Sequence, residues 1–102
     1  MAITLNKAHT IKLNSGEEIV AKITGEDDTS YTVEKPLALM HTADGKSGWV
    51  PAIATADFDI AITINKSSCA MIGITHDDIS DSYLETTTGI KPVRKSSKII
   101  MG

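Results

Sequence analysis

The sequence predicts an all-β fold: one small antiparallel sheet, strongly bent toward a barrel, with a short helix at its C-terminal end. Three observations predict it. Apolar and polar residues alternate with period two in successive runs, the pattern of strands that bury one face. The runs are separated by clusters of Gly, Asn, Asp and Ser, whose conformational freedom and short polar side chains satisfy tight turns. A helix start, helical apolar spacing and a glycine stop coincide in the stretch Thr75 to Gly89. A twisted sheet of about five short strands tends to curl so that its edges are removed.

The strands follow in order. Residues Ala2 to Ala8 are ambiguous between a short helix and a loose strand. Ile11 and Leu13 then share one strand face, with Lys12 on the other. "NSG" (Asn14 to Gly16) is a turn, since Gly16 takes positive φ without steric cost. From Glu18 to Thr24, Ile19, Ala21 and Ile23 share a face, and Val20 and Lys22 the opposite one. "GEDDTS" (Gly25 to Ser30) turns the chain again. Tyr31 and Val33 form the apolar face of the third strand. Pro36 cannot donate to a ladder, which predicts an edge or a bulge there; Leu37 and Leu39 resume the pattern up to about Met40. His41 to Gly48 reads as a loop. Trp49 and Val50 begin a possible strand that Pro51 interrupts. The clearest alternation is Phe58, Ile60, Ile62 and Ile64, predicted as one half-buried strand. "NKSS" (Asn65 to Ser68) turns the chain into "CAMIGI" (Cys69 to Ile74), which is apolar on both faces and so predicts cover from another subunit, with the helix helping.

The helix is expected over about 76–87. Thr75 is the expected N-cap with Asp78 three residues on, and Asp77 and Asp78 suit the positive end of a helix dipole. Ile79 and Tyr83 share a face, and Gly89 is the stop. A chain of 102 residues is one domain, able to bury roughly 60–65 % of its unfolded surface. Residues 1–90 are assigned to it. Residues 91–102 form a basic tail with Lys91, Arg94, Lys95 and Lys98, which reads as solvated, with an electrostatic arm toward nucleic acid as the sharper alternative.

Composition narrows the function. The net charge is −3, whereas proteins held to nucleic acid by phosphate neutralisation are usually basic. Aromatic residues are 4 % of the chain, few for stacking many bases. The one cysteine, Cys69, allows no intramolecular disulfide and suits a reducing compartment. No secretory leader and no span of about 20 apolar residues is visible, so a soluble, cytoplasmic protein is expected. No nucleophile, base and stabilising group stand together, which argues against an enzyme. Turn chemistry accounts for Asp27 and Asp28, and a helix start for His76, Asp77 and Asp78, so no metal and no cofactor are expected. His9 and His41 read as ordinary exposed histidines.

The stretch "IKLNSGEEIVAKITGEDDTSYTVEKPLAL", followed by "DFDIAITINKSSCAMIGI", resembles the two-part motif of the Sm-like family, in a form similar to the small Sm-like proteins of tailed phages. The resemblance implies a five-stranded, strongly bent barrel whose last two strands pair across subunits. Copies would close a homo-oligomeric ring, commonly of about five to seven. It also implies binding of short single-stranded RNA around the central pore through two turns. In the first turn Asp27 or Asp28 matches the family's acid, and Ser30 or Tyr31 stands near its asparagine. Tyr31 offers a ring on which a base can stack. In the second, Lys66 stands for an arginine and Ser67 for a glycine, with Ser68 beside them. The structural readings are a solvated turn for Lys66, Ser67 and Ser68, and a core strand position for Tyr31. The alternative function is a structural or adaptor ring that engages protein partners, phage-related, without RNA.

Overall fold

The computed structural model describes residues 3–89; the basic tail lies outside them. β1 (Lys7–Leu13) and β2 (Glu18–Glu26) form an antiparallel hairpin, with Lys7 opposite Ile23 and Lys12 opposite Glu18. Gly16 at φ 96° closes its turn, a conformation that costs a Cβ-bearing residue but not glycine. β3 (Ser30–His41) returns along β2 and is the longest strand. β4 (Ser47–Pro51) pairs with the second half of β3, and β5 (Ile62–Asn65) with its first half. A 3-10 turn (Lys66–Ser68) leads into β6 (Cys69–Ile74), which pairs with β1. The strand order is β4-β3-β2-β1-β6, with β5 beside β3.

The predicted all-β class holds, with two corrections. The sheet has six strands rather than five, because the segment 47–51 completes a hairpin with β3 instead of a loop. The barrel does not close, since β5 and β6 lie on opposite margins and do not pair with each other.

The bend has an identifiable cause. Between Val20–Leu37 and Lys22–Glu34 the ladder gains one residue on β3. The extra residue falls at Lys35–Pro36, where Lys35 adopts φ 50°. A left-handed residue inside a strand is the signature of a bulge, which kinks and twists the strand. Pro36 therefore sits at a bulge, as its missing N–H requires. A second shift between Ile23 and Gly25 adds to the curvature.

The bent sheet buries two apolar clusters. On the concave side Ile11, Ile19, Ala21, Ile23, Tyr31 and Val33 pack together. On the outer side Ala8, Val20, Leu37 and Tyr83 pack under α1 (Asp77–Thr88), with Trp49, Phe58 and Ile79 around them. The hydroxyl of Tyr83 lies 2.8 Å from the Lys35 carbonyl and 3.1 Å from that of Glu34. Both residues lie in the gap between the β5 ladder, which ends at Val33, and the β4 ladder, which begins at Leu37. Trp49 donates its indole N–H to Ser82 (2.9 Å) and meets Tyr83 edge-on at 5.9 Å.

Several local expectations change. Residues 58–61 are not strand; the Asp57 carboxylate accepts from the Asp59 amide and breaks the run. Continued in register they would face the bulge at Lys35–Pro36, and from Leu37 onward that side of β3 is paired with β4. Thr75 does not cap α1: its hydroxyl bonds Thr10 (3.0 Å), and His76 takes the N-cap through Nδ1, which accepts from the Asp78 amide. Gly89 ends the helix at φ 76°, as expected. His9 is fully buried rather than exposed. Its Nε2 accepts from the Thr4 amide, which leaves Nδ1 as the donor to the Lys7 carbonyl at 2.9 Å. Within the single chain Met71 of β6 is 67 % and Ile74 51 % exposed, and α1 packs over Ala8, Val20 and Leu37 rather than over β6.

Tyr83→Phe should cost about 1–2 kcal/mol in chemical denaturation, since the one O–H that the two carbonyls share is lost. Burial, aided by the Glu34 carboxylate, pushes the Tyr83 phenol up to about 12 from 10.0. A raised phenol contributes its stability fully below pH 10.0 and loses it as pH climbs toward 12. Ultraviolet titration should therefore show a late tyrosinate component that is missing in Tyr83→Phe.

Candidate functional site

Three turns meet at one end of the sheet: 14–16, 27–29 and the 3-10 turn 66–68. Their meeting is set by backbone bonds. The Lys66 amide donates to the Thr29 carbonyl (2.8 Å), and the Asn14 amide to the Ser68 carbonyl (2.8 Å). The Asn14 side chain adds a bond to the Ser67 carbonyl (2.6 Å). Below them, Ser30 pairs with Asn65 and Tyr31 with Ile64 in the ladder between β3 and β5. Residues far apart in the chain are thus fixed beside one another by strand register.

Asp27 orders the acidic turn. One of its carboxylate oxygens accepts from the Thr29 amide (2.9 Å), the Ser30 amide (2.8 Å) and the Ser30 hydroxyl (3.0 Å). The Thr29 and Ser30 amides, followed by the Ser30 hydroxyl, hold its carboxyl below the ordinary value of 3.8. Such bonds favour the ionised form. The carboxylate is therefore a turn brace. Asp28 next to it is exposed.

Lys66 is held at three points. Its backbone is tied to Thr29, and its ammonium lies 5.2 Å from the centre of the Tyr31 ring. The same ammonium bonds the Glu26 carboxylate at 2.6 Å. This bond to Glu26, reinforced by the charges of Glu26, Tyr31 and Asp28, raises the lysine above its ordinary 10.5. Tyr31 itself is 6 % exposed and belongs to the concave core. Ser67 and Ser68 are exposed, and their carbonyls serve the Asn14 bonds.

The structure therefore brings Asp27, Asp28, Tyr31, Lys66, Ser67 and Ser68 to one end of the sheet. Sequence reasoning missed Glu26 and Asn14. The ladder supplies the signal for Glu26, which stands opposite Tyr31 as the last residue of β2. The arrangement presents one ammonium beside three carboxylates, with backbone and hydroxyl groups around it. Nothing in it supplies a nucleophile with an adjacent base. Among the described residues, no three His, Cys, Asp or Glu side chains gather to hold a metal ion. No described helix is long and apolar enough to cross a membrane.

Replacing Asp27 with Ala should lower the melting temperature, and the difference should depend on pH. A carboxyl lowered on folding contributes fully above its unfolded value, near 3.8, and loses that contribution as pH falls through its folded value. Melting curves of the two proteins should be separated by a constant interval from pH 7 to 5 and converge in stronger acid.

No protein-family model matches the chain, and no curated protein matches it.

Proposed function

We propose that this protein is a ring-forming Sm-like module whose copies join through β5 and β6, and that the assembled ring takes short single-stranded RNA at the turns bearing Lys66. The observation that carries the reading is the open sheet. The last two strands of the motif lie on opposite margins, each paired on one side within the chain. A free antiparallel margin is a template for another chain, and a head-to-tail contact between different margins closes into a ring when its rotation allows. The margins are also apolar. Met71 and Ile74 are exposed on β6, and a groove between the β1–β2 hairpin and β5 is floored by Leu13, Ile19, Ile53, Ile62 and Ile64. A ring commonly has about five to seven copies in this family, so each would repeat the Lys66 turn around one axis.

For the RNA part, the support is the lysine on the 3-10 turn 66–68, which meets the turns 14–16 and 27–29 and is accompanied by exposed serines and backbone groups. A second reading has its own observation. Lys66 is already paired with Glu26, and Asp27 and Asp28 adjoin it, which weakens the attraction for a polyanion. On that reading the ring is a structural or adaptor body for protein partners, of phage type, working in the cytoplasm of a bacterial host.

Light scattering coupled to size-exclusion chromatography tests the ring. The native chain should elute as one oligomer of about five to seven copies, and a double variant Met71→Lys, Ile74→Lys should elute as a folded monomer, because edge lysines oppose strand pairing. A monomeric native chain at tens of micromolar would end the ring proposal. Fluorescence anisotropy with short U-rich and A-rich RNA tests the ligand. Saturable binding should weaken with added salt and fall several-fold in Lys66→Ala. Absence of binding at low salt would leave the adaptor reading.

A further inference from the structure

We propose that Glu26 is the residue that limits affinity at the Lys66 turn: its carboxylate occupies the ammonium as an internal stand-in for a ligand phosphate, so that an anion binds there only by displacing it. The inference rests on the RNA reading above and adds to it the residue that sets affinity.

The geometry supports displacement over permanent locking. The two partners come from elements that the fold fixes independently. Glu26 ends β2, and Lys66 opens the 3-10 turn. Without the carboxylate the lysine keeps two of its three holds, its amide bonded to Thr29 and its ammonium over the Tyr31 ring. Glu26 is the hold that also occupies the cation. An ammonium has three donors and no acceptor, and Glu26 takes one of them at 2.6 Å. The side chains of Lys66 and Glu26 are 31 % and 33 % exposed, so water and ligand reach the pair, and pairs of that kind are held weakly.

The charge pattern points the same way. Asp27 spends its carboxylate on the turn backbone. Asp28 acts on Lys66 through charge rather than by a bond. Glu26 alone occupies the lysine directly. An RNA phosphodiester carries one negative charge and two non-bridging acceptor oxygens, the same as a carboxylate, so it can replace Glu26 at the ammonium like for like. It must then tolerate the released carboxylate nearby. Native affinity at each turn should be low, and binding should depend on several turns acting together in the ring.

The test is anisotropy of the full-length protein with one short labelled single-stranded RNA at low and near-physiological salt. Native protein, Glu26→Gln, Lys66→Ala and the Glu26→Gln, Lys66→Ala double variant are compared after each has been shown to melt cooperatively. Glu26→Gln keeps the shape and removes the charge. It should bind about two- to fivefold tighter than native, the scale of an exposed ion pair, and the gain should vanish in the double variant. If Glu26→Gln folds poorly, Glu26→Asp retracts the carboxylate by one methylene and should give a smaller gain of the same sign. Should Lys66→Ala weaken binding while Glu26→Gln changes nothing, the role of Glu26 is overturned and the RNA reading stands. A gain that survives without Lys66 also overturns it, as a general charge effect. Binding by Glu26→Gln alone, with the native protein silent, supports the role of Glu26 and overturns RNA as the native ligand. Silence from both overturns both.

Discussion

The contact between Tyr83 and the kink in β3 organises the molecule. A bulge in the middle of a strand turns backbone carbonyls away from their ladder, and buried carbonyls left without donors are costly. Here the carbonyls of Glu34 and Lys35 meet the phenol of a helix residue. That contact makes the bend tolerable, docks α1 across β2 and β3, and buries the largest side chain of the outer cluster. β3 pairs with β5 on one side of the bend and with β4 on the other. One phenol thus joins the curvature of the sheet to the seating of the helix.

The curvature in turn sets the site. Because β5 follows only the first half of β3, its end falls beside the acidic turn, and the 3-10 turn carries Lys66 to Thr29. The lysine meets Glu26 by ladder geometry across 40 positions of sequence. The same partial pairing leaves β5 and β6 with one free side each. The candidate ligand site and the candidate assembly margins are therefore two results of one topology. A change that straightened β3 would disturb both.

Much of this was legible in the sequence. Period-two alternation located β1, β2 and the first half of β3, because each buries one face against the concave cluster. Gly16, Pro36 and Gly89 were legible because each has a backbone preference that a single kind of position satisfies. The failures have physical causes too. Phe58 and Ile60 continue the alternation of Ile62 and Ile64, yet strand pairing depends on a regular free partner, and at that height β3 offers the Lys35 bulge and then Leu37, already paired with β4. His9 looked exposed because a lone histidine carries no sign of the Thr4 and Lys7 backbone groups that satisfy it. Thr75 looked like a cap because the competing partner, Thr10, lies 65 positions away. In the site, Lys66, Asp27 and Asp28 were visible as turn residues. Glu26 was hidden, since its role appears only when β2 and the 3-10 turn are set side by side.

The single tryptophan has a consequence for how the molecule can be watched. Trp49 sits where the β3–β4 hairpin, Ser82 and the Tyr83 ring meet, away from the turns that carry Lys66. Its indole is bonded to the helix and not to its own strand partner. Its emission is therefore an intrinsic optical gauge of whether α1 is seated on the sheet. Undocking of the helix would register there before the concave core opened, and events at the opposite, turn-bearing end would leave the signal unchanged.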